Sequence, residues 1–308
     1  MPDGGLGLVL ARALFVAGLL SLGGVTVFAV LVARPALASV PPDEAARVCR
    51  MLRQLARGSL ALAVVTLLGW VVLQAADIAD ANGPAQALAA LRPVLRETAF
   101  GHLALLQLAG LGATAALLRL AGLSGWTALA ALLDVALQAG HGHAMAMGGV
   151  ASLLCAADIL HLLAAAGWIG GLLPLLLLVR LAIPATAAQA ARWFSPMGRI
   201  CVVVLAGSAL VQGWVLVGGW HALAGTAYGV VVLVKATLFL LLTALAVLNR
   251  YRLAPALRGA TADQARRHLL AAILVQTALG LLAVLASAWL SGLTPGMDMG
   301  QAMSAASG

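Results

Sequence analysis

The chain is a succession of apolar runs, each about twenty residues or longer, with few polar residues between them. A helix rises about 1.5 Å per residue, so roughly 20 apolar residues cross the hydrocarbon of a bilayer. The runs predict helices at 6–33, 59–80, 98–118, 126–146, 151–179, 200–221, 228–248 and 269–290, with loops at 34–58 and 81–97 between them. The pattern thus predicts an all-α polytopic membrane protein with eight transmembrane helices. It reads as one integral membrane domain: first helices and a basic loop over 1–125, a helical core over 126–290 and a Met-containing periplasmic tail over 291–308. Ala36-Leu37-Ala38 resembles a signal-peptide cleavage site. The apolar run before it exceeds the 7–15 residues of a signal core and has no basic stretch ahead of it, so a retained first helix is expected.

Composition agrees with the pattern. Of 308 residues, 63% are hydrophobic and 9% charged, far below the quarter or so of charged residues in a soluble domain. The net charge of +8 would suggest nucleic acid in a soluble protein. Here it follows the loops: Arg34, Arg47, Arg50, Arg53 and Arg57, then Arg119, then Arg180, Arg192 and Arg199, then Arg250, Arg252, Arg258, Arg266 and Arg267. The alternate loops hold only Arg92 and Arg96. Basic loops stay cytoplasmic, so both termini are expected to be periplasmic, and no nucleic-acid partner is implied. Cys49, Cys155 and Cys201 are far apart and form no C-x-x-C, which gives no disulfide framework or zinc module.

Parts of the chain repeat. Thr98-Ala-Phe-Gly101 opens the third predicted helix and Thr226-Ala-Tyr-Gly229 the seventh, with Gln107 and Lys235 at the same offset. Gly69-Trp70 in the second matches Gly213-Trp214 in the sixth, and Leu22-Gly23-Gly24 in the first matches Ile169-Gly170-Gly171 in the fifth. The expectation is two parallel four-helix repeats, about 1–148 and 149–290, related by an axis along the membrane normal.

Ionisable residues inside a membrane are costly and usually face the bundle interior. The set is short: Arg12, Asp77, Asp134, Asp158, His161 and Lys235, with His102, His141, His143 and His221 toward the outer ends. Only His268 falls on the inner side. Asp134, Gln138, His141 and Met145 share one helical face by spacing, and His143 and Met147 fall in the outer loop. Asp158 and His161 are i, i+3 neighbours, close enough for the carboxylate to orient the imidazole or share a ligand. Below them Gly170, Gly171 and Pro174 weaken the helix, and a kink is expected at Pro174. Imidazole suits copper, zinc, iron and nickel, whereas thioether selects Cu(I). With Met145, Met147 and the tail's Met297, Met299 and Met303, the outer set points to copper more than zinc. Haem b between two of His102, His141, His161 and His221 is the alternative. Interhelical hydrogen bonding is the plainer reading of His102 or His221 alone. Lys235 can snorkel outward or pair with Asp134 or Asp158.

At these residues a resemblance emerges. Leu160-His161-Leu-Leu-Ala-Ala-Ala-Gly-Trp168-Ile-Gly170-Gly171-Leu-Leu-Pro174 resembles the signature of the copper resistance protein D (CopD) family. Thr226-Ala-Tyr228-Gly229, Lys235, Leu248-Asn249-Arg250 and Pro255 are similar to that family's next block, and Gly142-His143-Ala144 also fits. The resemblance covers about residues 98–290. It implies an eight-helix bacterial inner-membrane protein that handles periplasmic copper, moves it toward the cytoplasm and works with a periplasmic copper chaperone. It brings His143, His161, Trp168 and Lys235 as family positions. His102, where arginine is common, and Gln276, where an acid is expected, depart from the pattern. With no Walker motif in the chain, ATP hydrolysis is not expected, nor enzyme activity. The competing functions are a haem b or copper redox protein, for electron transfer or cupric reduction, and a copper-delivery factor for an oxidase or periplasmic partner.

Overall fold

The structure, a computed structural model, describes residues 5–142, 150–217, 220–257 and 262–293. It is helical, with no strand among the described residues. We number the helices α1 (Gly5–Leu37), α2 (Pro42–Ile78), α3 (Pro84–Glu97), α4 (Ala99–Leu120), α5 (Gly125–Leu137, then a 3₁₀ turn Gln138–His141), α6 (Ala151–Leu181), α7 (Pro184–Leu216), α8 (Trp220–Gly225), α9 (Ala227–Ala256) and α10 (Ala262–Leu290). Seven of these described helices (α1, α2, α4, α6, α7, α9 and α10) are long and apolar enough to cross a membrane.

Seven of the eight predicted helices are present as helices long enough to span, and several run further than the apolar pattern. α2 starts at Pro42, not near 59, so most of the expected loop 34–58 is helix. Proline at the first helical position and acids Asp43 and Glu44 in the first turn favour a start there. The following Arg-, Ala- and Leu-rich stretch is good helix former. Val48, Leu52, Ala56, Ser59, Ala63, Leu67 and Trp70 are buried at helical spacing straight through the junction. α7 and α10 likewise begin early, and α9 ends late. The expected outer loop 81–97 contains α3, an amphipathic helix that buries Ala87, Ala90 and Val94. Among the described residues of the expected helix 126–146, α5 ends at Leu137 and one 3₁₀ turn follows, Gln138–His141.

Capping marks the starts of three helices. Thr98 Oγ1 accepts from the Gly101 amide at 3.0 Å and donates to the Val94 carbonyl at 2.6 Å. Thr226 makes the same pair, from the Gly229 amide at 3.0 Å and to the Ala222 carbonyl at 2.7 Å. Ser124 caps α5 through the Thr127 amide.

α1 and α6 form the centre. α1 packs on α2, α5, α6 and α10, while α6 packs on α5, α7 and α10. Phe15, Leu19, Leu22, Val25, Phe28 and Val32 of α1 are at most 1% exposed. The two central helices cross at glycines. A methyl group on Gly24 would overlap the Gly170 carbonyl carbon and lie 2.5 Å from its Cα, and one on Gly170 would lie 2.7 Å from the Leu20 carbonyl carbon. Such backbone approach is how membrane helices gain van der Waals contact without a hydrophobic drive. A π-turn, Ala166–Gly170, sits at this crossing, and α6 then continues through Pro174. The expected weakening thus falls one turn earlier than Pro174, where the π-turn absorbs it.

The arginine-bearing connections gather at one end. Arg34 donates to the Leu123 carbonyl at 3.2 Å. Arg266 donates to the carbonyls of Val179 at 2.8 Å, Ala182 at 3.2 Å and Arg180. Arg250 bonds Ser195 Oγ. Glu44, itself buried, accepts from the Ile183 amide at 2.9 Å.

Candidate functional site

Two polar stations lie inside the bundle. The first joins α4 and α5, flanked by α1 and α2. The predicted face Asp134–Gln138–His141 is real, and it is turned onto α4. Thr114 Oγ1 donates to Asp134 Oδ2 at 3.2 Å, Gln107 Nε2 donates to Gln138 Oε1 at 3.2 Å, and His141 Nε2 bonds Gln107 Oε1 at 2.9 Å. Gln107 and Thr114 are fully buried and Asp134 is 1% exposed. Gly110 makes room for the carboxylate, since a methyl there would lie 2.8 Å from Asp134 Cγ. With the Gln107 amide set as donor to Gln138, its oxygen accepts from His141 Nε2–H, which leaves Nδ1 as the lone-pair nitrogen.

His141 is walled by aromatic rings. Its centroid is 4.8 Å from that of Trp70 and 5.1 Å from that of Phe100. Arg12 stands over Trp70 at 5.1 Å, a cation–π contact, and acts electrostatically on His141. Arg12 Nε, Trp70 Nε1 and Asp134 Oδ1 are buried without a hydrogen-bond partner. Hence the first station leaves three buried polar atoms without a hydrogen bond among the described residues and sets a positive charge beside its histidine.

The second station is built by α6, α7 and α9. His161 Nδ1 lies 2.9 Å from Ser208 Oγ, and that hydroxyl lies 2.7 Å from the Val204 carbonyl. A serine has one hydrogen to give. With it on Val204, the oxygen accepts from His161 Nδ1–H and leaves Nε2 as the lone-pair nitrogen. Asp158 is one turn away on α6, half-buried. Lys235 of α9 is close enough to act electrostatically on both Asp158 and His161, and Asp158 likewise on Tyr228. Of the two partners expected for Lys235, Asp158 is the one on which it acts electrostatically. A methyl on Gly142 would lie 3.3 Å from Asp158 Oδ2. The segment that continues into the outer loop therefore starts against this carboxylate.

Other expected residues separate. His102 bonds the Arg96 carbonyl at 2.8 Å and ties α4 to the end of α3. His221 is exposed on the short α8. Trp168 is buried, edge-on to Phe239 of α9 at 6.2 Å. Gly170 and Gly171 make the α1 crossing and the contact with Phe194. Gln276 holds Asn249 Nδ2 at 2.7 Å and the Leu242 carbonyl at 3.1 Å, a structural use of a position where an acid was expected. His143, Met145, Met147, Met297, Met299 and Met303 lie outside the described residues. Among the described residues, no three of His, Cys, Asp and Glu come together as a metal site. Sequence reasoning missed Thr114, Ser208 and the roles of Gln107 and Arg12.

A many-helix bundle with two histidines, each hydrogen-bonded inside it, and with the buried Asp134 and half-buried Asp158 in the same two stations, defines a polytopic membrane protein with a polar interior. Comparison with known proteins narrows this. The family described as "Copper resistance protein D" matches residues 188–290, and "Copper resistance protein D-like, N-terminal domain" matches residues 1–153. The chain belongs to the copper resistance protein D family. It is 34% identical over 126 residues to the "Inner membrane protein YebZ" of Escherichia coli (strain K12), covering 40% of this chain and 43% of that protein. It is 34% identical over 180 residues to the "Copper resistance protein D" of Pseudomonas syringae pv. tomato, covering 52% and 55%. The chain spans about half the length of the curated relatives it matches. No solved structure matches it. The protein is a multi-pass inner membrane protein.

Proposed function

We propose that the protein binds copper ions on its histidine-bearing periplasmic side and moves them through the second station toward the arginine-rich cytoplasmic side. One observation carries this reading: Asp158 lies beside Gly142 at the start of the outer loop, and His161, one turn deeper, bonds Ser208 through Nδ1, which leaves Nε2 without a hydrogen-bond partner among the described residues. Orienting the far nitrogen of a ligating histidine is the usual work of a supporting hydrogen bond. Asp158 and His161 supply two donors, and His143, Met145 and Met147 of the outer loop complete the set. Thioether and imidazole together favour Cu(I). Lys235 balances the carboxylate while the station is empty and withdraws when a cation enters. His141 is a poorer ligand, because Arg12 repels a cation there.

The reading includes eight crossings in two four-helix halves, with both termini periplasmic. α4 ends and α6 ends at the arginine end, so α5 and the residues after it connect opposite faces. The matched Thr98 and Thr226 caps and the mutual contact of Gly24 and Gly170 support the halves. The haem alternative gains no support from the relatives, which are named for copper or the membrane. Delivery to a periplasmic partner would use the same entry residues without passage. The test is copper stoichiometry by elemental analysis of purified protein, with copper uptake into proteoliposomes. His161→Ala and Asp158→Asn are each expected to lower both. Unchanged stoichiometry in both variants refutes the station, and binding without uptake in the wild type refutes passage.

A further inference from the structure

The arginine-rich end carries a cleft that copper passage does not use. Its volume is about 380 Å³, and it lies between α2 and α4, lined by Arg57, Leu60, Ala115, Leu118 and Arg119. The neighbouring arginines Arg34, Arg250 and Arg266 are clamps on backbone carbonyls or a hydroxyl. Arg57 and Arg119 are different: both are exposed, and neither guanidinium meets an acceptor among the described residues. No carboxylate on either helix offsets them. α4 has no acidic residue, and the last on α2 before the cleft is Glu44, about 20 Å from Arg57 along the helix. The apolar half of the lining continues on α2 into the lipid-facing Leu62, Val65 and Leu68.

We propose that this cleft binds the phosphate of an anionic phospholipid from the adjoining leaflet. Two planar guanidiniums suit one phosphate, since each offers paired donors. Basic pockets between helices on the cytoplasmic face are where such headgroups are recognised. A free phosphate would leave Leu60, Ala115 and Leu118 unused, whereas a phospholipid covers them with its glycerol and first acyl methylenes. The volume suits a headgroup, with the chains left to run along Leu62 and Val65 in the bilayer. The bound lipid joins α2 to α4 at the end where they approach the α4–α5 turn. The same paired positive charge excludes copper from this route.

Native mass spectrometry of the delipidated full chain, titrated with phosphatidylglycerol, phosphatidylcholine or inorganic phosphate, tests this. The wild type is expected to hold phosphatidylglycerol about tenfold more tightly than phosphatidylcholine. Arg57→Gln with Arg119→Gln is expected to remove that preference, and Arg92→Gln with Arg96→Gln to keep it. Equal retention of the two lipids by the wild type, or an unchanged preference in the Arg57/Arg119 variant, overturns the proposal. So does displacement of the lipid by millimolar inorganic phosphate, which would mark a free-anion site. If the double variant fails to fold, a photo-activatable phosphatidylglycerol on the wild type decides: crosslinks at 57–60 and 115–119 support the site, and crosslinks elsewhere refute it.

Discussion

Gly170→Ala probes the centre of the bundle directly. The added methyl would overlap the Leu20 carbonyl oxygen and lie 2.7 Å from its carbon, where ordinary contact between carbons is about 3.5–4.0 Å. The obstacle is backbone, so no rotamer relieves it, and α1 and α6 must part locally by about 1 Å. Overpacking of this kind costs about 1–3 kcal/mol, and a backbone obstacle belongs at the upper end. Replacing glycine within a helix returns about 1 kcal/mol of propensity. The net expectation is a loss of about 2 kcal/mol, or roughly thirtyfold in the folded-to-unfolded ratio. Gly207→Ala is the matched control: nothing lies within 4 Å of its added methyl, so only the favourable propensity term remains and the sign reverses. Gly24→Ala should behave like Gly170→Ala, and the double variant should lose less than the sum, because helices already parted accept the second methyl. Thermal unfolding in detergent, followed by gel filtration, measures all four. If Gly170→Ala melts with or above Gly207→Ala, the close crossing does not exist.

Ser208→Ala removes the acceptor that orients His161 but little volume. Copper affinity, measured against a Cu(I) chelator, should fall about 10–100-fold with thermal stability nearly unchanged. Arg266→Met strips three carbonyls at the end of α6 of their donor. It should cost about 1.5–3 kcal/mol, as for a lost charged hydrogen bond, read as a lowered melting temperature without a change in copper affinity.

Lipid makes helices legible and hides their ends. A bilayer demands a long apolar run from anything that crosses it, so the core of each long apolar helix could be read from the chain. Beyond the hydrocarbon that demand stops, yet nothing requires the helix to stop there. α2 continues outward to Pro42 because Val48, Leu52 and Ala56 still have α1 and its neighbours to pack against. α3 is short and only half apolar, with Ala87, Ala90 and Val94 as its buried side, a signal that a search for crossings passes over. α5 was read too long because its glycines look like ordinary membrane glycines. Gly140 instead lets the end of α5 close on Leu103 of α4, whose side chain lies 2.6 Å from where a methyl would sit. The polar stripe on α5 was visible from its spacing, but spacing says nothing about the partner. Thr114 and Ser208 are single hydroxyls in Ala- and Leu-rich helices, where most hydroxyls bond their own preceding turn, as Thr66 and Thr237 do. Only the fold distinguishes those that reach across to another helix, as Thr114 and Ser208 do.

The contrast between the stations follows from what each half does with the same helix positions. In the first, Gln107 is neutral and can both give and accept, so it links His141 to Gln138. His141 keeps a lone pair on Nδ1, but Arg12 beside it adds a charge that repels a cation. In the second, the equivalent offset carries Lys235, which can only donate, and the nearby acceptor is the carboxylate of Asp158. A donor and an anion balance one another without using His161 Nε2, and an arriving cation can replace the ammonium at the carboxylate without stranding a charge. Exchange of one cation for another at a buried carboxylate avoids the large cost of leaving it unpaired. On the proposed reading, the station held together by Gln107 stays fixed, and the one that holds Asp158 and His161 is where an ion enters and leaves.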